Sequence, residues 1–301
     1  MVKDPGKNKR LLWREVRRNK VAYLFISPFY IMFLLFMVLP VVYSFYLSLT
    51  DVQGIGMVKW VGLRNYINLF QDERFLQAIK NTSLFAVVQI PIMLTLAVIL
   101  ALILNSKRVF LRNLFRSVYF LPVVMSLAVA ALAFSMILNK DIGLLNLVLS
   151  RMGFSPRDWL NDPDLALWSI VGLVTWRWTG YNMVIILAGL QNIPQELLEA
   201  AQIDGAGPWQ RLRHITLPLI WPVVFFCLIL SMIGAYQLFE EPMILTKGGP
   251  MDRTLTIVLY LYQTGFQKFQ FGYASAIAYS LVIILLVVSG LQMKLSGGLK
   301  D

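Results

Sequence analysis

Two stretches of the chain carry residues whose types and spacing could do chemistry inside otherwise apolar runs. The first is "TWRWTGYNM", residues 175–183. Arg177 and Trp178 each stand one helical turn before Tyr181, so the three share a helix face. Such a face sets aromatic rings beside hydrogen-bonding groups. The second is "LSMIGAYQLF", residues 230–239. It places Ser231, Gly234, Ala235 and Leu238 on one face, with Tyr236 and Gln237 beside it. Together the two faces could line a path for a polar solute. The competing reading is an aromatic belt at a membrane–water interface, which suits Trp176. Arg177 could hydrogen-bond solute hydroxyls, pair with Glu240 or Glu241, or attract an anion, and the sequence leaves these open.

A third stretch is polar and lies between two apolar runs: "IPQELLEAAQIDGAGPWQRLRHITLP", residues 193–218. Pro194 suits the first position of a helix, where no N–H partner is lost. Glu196 and Glu199 fall in the first turns, where the helix dipole favours acids. Leu197, Ala200, Ala201 and Asp204 follow on one face, and its two alanines let another surface come close. Gly205 is placed to end that helix, and Gly207-Pro208 to turn the chain. "PWQRLRHI" reads as a second short helix. The expected product is a helix–turn–helix knob rather than a loop folded back on its own bundle.

Other chemistries lack their residues. No "GxxxxGK[ST]", "HExxH", "GxSxG" or Cys/His cluster occurs. The one histidine, His214, neighbours Arg213 at the edge of an apolar run and reads as interfacial. The one cysteine, Cys227, reads as a small buried hydrophobe and excludes a disulfide framework. A proton relay needs ionisable groups within the membrane, and Arg177 stands nearly alone there.

The elements that must position these stretches follow from composition. The 301 residues are 58% hydrophobic and 14% charged, against about a quarter charged in soluble domains. Six runs are long enough to cross a bilayer: residues 21–47, 84–104, 118–138, 167–190, 217–239 and 274–293. A seventh, "TLTIVLYLY" (254–262), is too short and reads as interfacial or re-entrant. The spacing of Leu63, Ile67 and Phe70, and of Phe75, Leu76 and Ile79, suggests short amphipathic helices on the outer surface. The tail at 1–20 is basic, and the loop at 105–117 holds Lys107, Arg108, Arg112 and Arg116 without an acid. Both are expected in the cytoplasm, with both termini and the polar knob. The net charge of +11 is therefore a topology signal and not a nucleic-acid footprint. The N-terminus lacks the short apolar core and cleavage site of a signal peptide, so the first span is expected to be retained. The sequon at Asn81 is discounted, and no internal repeat is visible. The expected division is a tail at 1–20, a first span at 21–47, an outer loop at 48–83, a five-helix core at 84–293 containing the knob at 191–216, and a tail at 294–301.

"EAAQIDGAGPWQRLRHITLP" closely resembles the EAA loop of permease subunits of bacterial ABC importers. "VGLRNYINLF", "NTSLF", "ILTKGGPMDRT" and "YASAIAYSLVIILLVVSGLQ" extend the resemblance over nearly the whole chain. They narrow it to the larger-subunit, maltose-type and glycerol-phosphate-type carbohydrate permeases. The resemblance implies an all-α membrane protein of six transmembrane helices with the type I ABC importer permease fold, a transport subunit and not an enzyme. In that family the loop docks in a cleft of the ATPase; Glu199, Ala200, Ala201, Asp204, Gly205 and Ala206 match it, as do Ile215, Leu217 and Pro218. Family substrate contacts align with Arg177, Trp178, Tyr181, Gly234, Ala235 and Leu238; Gln237 is added as their neighbour. At 234–238 this chain departs from the polar residues of the maltose permease, and it lacks that subunit's extra spans and large outer domain. The implied partners are a second homologous permease in a heterodimer, two ATPase subunits and an extracellular solute-binding protein that delivers a carbohydrate, expected to be an oligosaccharide. The implied setting is the bacterial cytoplasmic (inner) membrane. No cofactor is implied in this chain; ATP and Mg would be bound by the ATPases. Glycerol phosphate is the alternative solute, and a self-contained channel or secondary transporter the alternative class.

Overall fold

The computed structural model describes residues 18–54, 56, 58–106 and 109–295. The basic residues before Arg18, and Lys107 and Arg108, lie outside them, as do 296–301. Regular structure among the described residues is helical, apart from two isolated bridges, Thr50 to Trp60 and Gln53 to Gln270.

α1 (Lys20–Phe33) continues through a π turn, Leu34–Val38, into α2 (Leu39–Ser48). The π turn falls just before Leu39-Pro40, where proline removes a backbone donor. α3 (Arg64–Leu69) leads to α4 (Glu73–Asn105). α5 (Arg112–Val124) and α6 (Leu127–Ile137) are followed by α7 (Leu144–Arg151) and α8 (Ala166–Gln191). α9 (Gln195–Ile203) and α10 (Pro208–Arg211) form the polar knob. A second π turn, Leu212–Thr216, joins α10 to α11 (Leu217–Tyr236). α12 (Glu240–Leu245), α13 (Ile257–Tyr262), a third π turn at Gln263–Gln267 and α14 (Phe271–Leu295) complete the chain.

Five helical stretches are long and apolar enough to cross a membrane, and the bent pair α5–α6 would make a sixth. The core sits between α4 and α8, which pack on each other more than any other pair. Phe85, Ile90, Met93 and Ala97 from α4 meet Ile170, Leu173, Met183 and Ile186 from α8 among the buried residues. α8 is enclosed: 67% of its apolar window is buried. The first span is the opposite, with 0% of its window buried. It is apolar all round, which suits lipid. Only its end is pinned, where Tyr279 donates to the Val41 carbonyl at 2.5 Å and stacks edge-on with Phe45.

The structure corrects two expectations and sharpens a third. The run at 118–138 is not one helix but two, bent by 97° at Met125-Ser126, whose ψ angles of 145° and 132° are extended. Pro122 lies in the last turns before the break. The helix expected at 84–104 begins at Glu73, so Phe75, Leu76 and Ile79 belong to its first turns and not to a separate surface helix. Those turns are polar yet partly buried. Asp72 caps them, accepting from the Arg74 and Phe75 N–H at 3.0 and 3.2 Å, and Asn81 donates to the Asp252 and Leu255 carbonyls. Hydropathy alone cannot find such a start. The short run at 254–262 packs inside the bundle, where Leu255, Ile257 and Leu259 are fully buried.

Candidate functional site: a knob and a cavity on the same two helices

The knob is built locally. α9 follows Pro194, which is its N-cap residue and not its first helical residue. Gly205 takes φ +82°, the left-handed region that glycine enters without strain. The Ala206 N–H then reaches the Ala201 carbonyl at 2.8 Å and the Gly205 N–H the Gln202 carbonyl at 3.1 Å. These are the paired bonds of a Schellman motif, and they satisfy carbonyls the helix end leaves free. Gln210 Oε1 accepts from the Gly207 N–H at 2.8 Å, and Arg211 donates to Gln202 Oε1 at 3.2 Å, tying α10 to α9. "PWQRLRHI" is not a free-standing helix. It runs through the π turn into α11 as one stretch, Pro208–Tyr236.

No residue of α9 or α10 is buried. Glu199, Ala200, Asp204 and Gly205 are exposed, while Ala201 and Ala206 are half-buried. Ile203 and Trp209 are 86% and 69% exposed, and Leu197 is also exposed. Large apolar side chains gathered on a polar projection mark a contact surface. The knob therefore does not fold back into its own bundle.

The cavity lies on the same two helices. It has a volume of about 680 Å³ between α4, α8, α11 and the α12–α13 segment. Of the residues expected along a substrate path, Trp178, Tyr181, Gly234, Ala235, Gln237 and Leu238 line it. Trp178 and Tyr181 meet edge to face, with centroids 5.6 Å apart. Gly234 opens the wall: a side chain built there would meet nothing within 4 Å. Leu238 lies past the end of α11, and its carbonyl accepts from the Thr256 hydroxyl at 2.7 Å.

Arg177 does not line the cavity, although it shares a helix with Trp178. It is buried, and its guanidinium turns to the break between α5 and α6. Nη1 donates to the carbonyls of Pro122 at 3.1 Å and Met125 at 2.9 Å, and Nη2 to Val123 at 3.3 Å. The end of α5 leaves carbonyls without intrahelical partners and carries the negative end of the helix dipole. Arg177 answers both. Gly180 completes the joint, because any Cβ there would collide with the Tyr119 carbonyl of α5.

Sequence reasoning gave no role to two polar groups of the wall, Gln89 and Asn182, and considered Glu240 and Glu241 only as partners for Arg177. Gln89 and Asn182 are buried and line it, as do Glu240 and Glu241. A lone Gln in an apolar run, and Asn182 one turn beyond Trp178, were the available signals. Nothing local could show that residues 89, 182 and 241 converge.

Comparison with known proteins agrees with this architecture. The profile of the family described as binding-protein-dependent transport system inner membrane component matches residues 93–296. The arabinooligosaccharides transport system permease protein AraP of Bacillus subtilis is 39% identical over 300 residues, spanning 98% of this chain and 95% of the relative. The lactose transport system permease protein LacF of Rhizobium radiobacter is 42% identical, spanning 90% and 92%. The trehalose/maltose permease MalF of Thermococcus litoralis is 36% identical, spanning 95% of each. Among solved structures, a chain of a bacterial alginate ABC transporter, in complex with an alginate pentasaccharide-bound periplasmic protein, superposes with a TM-score of 0.84. It is 25% identical, with 96% of this chain and 98% of that one covered. The chain belongs to the inner-membrane component family of binding-protein-dependent transport systems, as a multi-pass permease of the ABC importer kind.

Proposed function

We propose that this chain is one permease subunit of an ABC importer that carries an oligosaccharide. The observation that carries the proposal is the shared support of knob and cavity. α8 enters the knob and α11 leaves it; the same two helices bring Trp178, Tyr181, Asn182, Ser231 and Gly234 to the cavity. A displacement of the knob therefore reaches the cavity wall through two continuous helices. Stacking rings beside amide and hydroxyl groups suit a sugar, and the relatives named for arabinooligosaccharides, lactose and trehalose/maltose support that solute class.

In this reading the knob faces the cytoplasm, with both termini, in the bacterial inner membrane. The chain pairs with a second, homologous permease, and two ATPase subunits dock on the two knobs through Glu199, Ala200, Ala201, Asp204, Gly205 and Ala206. ATP and Mg are bound by those ATPases. A solute-binding protein delivers sugar at the outer side. ATP binding closes the ATPases, draws the knobs together and opens the cavity outward; hydrolysis resets it.

The test is purification from native membranes followed by reconstitution into liposomes with the binding protein. A co-purifying ATPase, and uptake of arabinotriose or lactose that requires ATP, is the expected result. Uptake by this chain alone without ATP would overturn the reading in favour of a self-contained carrier.

A further inference from the structure

The wall of the cavity carries two carboxyl side chains and no cation. Glu240 stands exposed at its mouth, and Glu241 lies within it at 5% exposure. Neither has a Lys, Arg or His within ion-pairing distance among the described residues. The nearest candidate, Arg177, is committed to the carbonyls of Pro122, Val123 and Met125. The Asn182 amide donates to the Trp178 carbonyl at 3.0 Å, and the Gln89 amide to the Met93 thioether at 3.3 Å. Both side chains are more than nine-tenths buried. Beside these amides the wall presents the Trp178 indole and the Tyr181 and Ser231 hydroxyls, so its neutral groups both donate and accept, and its only charges are the two carboxyls.

Sugar hydroxyls donate to such acceptors. A uronate carboxylate adds a full negative charge, which a guanidinium or an ammonium in the wall would offset, and the wall has neither. Placed here it would be desolvated and would face Glu240 and Glu241, while Arg177 is held by three carbonyls behind the wall. We infer that this cavity admits uncharged, hydroxyl-rich sugars and excludes acidic ones, with Glu240 and Glu241 as the residues that discriminate. Glu241 accepts from a sugar hydroxyl inside the cavity, and Glu240 repels anions at the mouth. The inference rests on the transport reading above and goes further by naming the charge class of the solute and the residues that set it.

Trp178 supplies a direct readout, because its ring is in the wall. The assembled importer is placed in nanodiscs without its binding protein, so that the binding protein's selectivity does not enter. Tryptophan fluorescence is titrated with arabinotriose and with trigalacturonate, an uncharged and an anionic trisaccharide. The change lost in Trp178→Phe is assigned to the cavity. Trigalacturonate should bind at least about tenfold more weakly, as expected for like charges in a partly desolvated site. In Glu240→Gln/Glu241→Gln the gap should narrow to about threefold, with arabinotriose itself weakened several-fold by the lost acceptor. Because the ratio is taken within one preparation, partial misfolding lowers both sugars alike. Glu240→Gln alone, at an exposed position, should narrow the gap in part. Equal binding of the two sugars by the unaltered importer, or a gap unchanged in the double variant, would overturn the inference. A gap that persists while ATP-driven arabinotriose uptake fails would sink the transport reading and leave the charge assignment standing. Absence of any fluorescence change with either sugar removes the cavity as a sugar site and overturns both.

Discussion

The knob and the cavity sit on the same two helices and are built in opposite ways. Every hydrogen bond that shapes the knob closes within about ten residues of chain: Ala206 to Ala201, Gly205 to Gln202, Arg211 to Gln202. The cavity takes Gln89, Trp178, Gly234 and Glu241 from four separate elements. A local structure shows its form in its sequence, since the residues that make it are neighbours. A wall assembled across the bundle depends on how helices cross, and no short window records that. The knob also buries none of its own residues, whereas Gln89, Asn182 and Glu241 are almost wholly enclosed. Substitutions in the knob should therefore spare folding and stop function. Those near the cavity should divide between open positions, which fill space, and supporting ones, which destabilise.

The sharpest way to break this contrast is at Gly205. Gly205→Pro forces φ from +82° to near −65° and removes the Schellman turn. ATP-driven uptake should disappear while membrane insertion, followed by extraction and gel mobility, stays normal. Glu199→Lys, a charge reversal on the exposed face, should do the same. Normal uptake by both variants would sink the assignment of the knob as the coupling element. Next in size is Gly234→Leu. The added side chain meets open space and replaces a weak helix former, so stability should hold or rise. Uptake should fall by roughly tenfold or more, because the volume it fills is the solute's. Unchanged uptake would mean the solute passes elsewhere.

Arg177→Met tests the support behind the wall. It would leave one buried and two part-buried carbonyls without their donor, at a cost of about 3 kcal/mol. Thermal unfolding should come earlier, and Arg177→Lys should recover only part, since an ammonium cannot span all three acceptors as the fork does. If Arg177→Met unfolds normally but no longer takes up sugar, Arg177 touches solute after all. The smallest effect is expected at Asp72, on the outer network. Burial alone would raise its pKa. Hydrogen bonds from the Tyr260 and Tyr273 hydroxyls and the Phe75 and Arg74 N–H groups outweigh burial and hold it below 3.8. A depressed folded pKa stabilises above the unfolded value and loses that contribution as pH falls through the folded one. The unaltered protein should lose stability below about pH 4, and Asp72→Asn should flatten that limb. It should also cost about 1 kcal/mol at neutral pH, because the second oxygen that accepts from the Tyr260 and Tyr273 hydroxyls becomes an amide N–H donor. An unflattened limb would show that another carboxylate governs it.

Arg177 and the run at 118–138 show where sequence reading stopped. An arginine one residue from Trp178 in an apolar helix is readily taken for a solute contact. Its actual partners are carbonyls freed by a helix break more than fifty residues away in sequence. Pro122 was a visible sign that the helix could break. It does not fix the 97° bend, which needs Arg177 to satisfy the exposed carbonyls and Gly180 to let α8 approach α5. Likewise the polar turns from Glu73 to Ser83 read as a separate surface helix, and the structure joins them to α4. They are helical because Asp72 caps them and the segment at 252–257 covers them.

The sequence by itself determined the number of apolar runs, the knob with its glycine stop, and the family. These rest on composition, on residues a few positions apart and on motifs at fixed spacing. Tertiary structure alone decided that one run is bent, that Arg177 reaches the carbonyls at the bend and stands outside the cavity lining, and that Gln89, Asn182, Glu240 and Glu241 share a wall. The physical reason is the same for all three. Each is settled by which buried polar group reaches which partner, and across a helical bundle those partners come from distant parts of the chain.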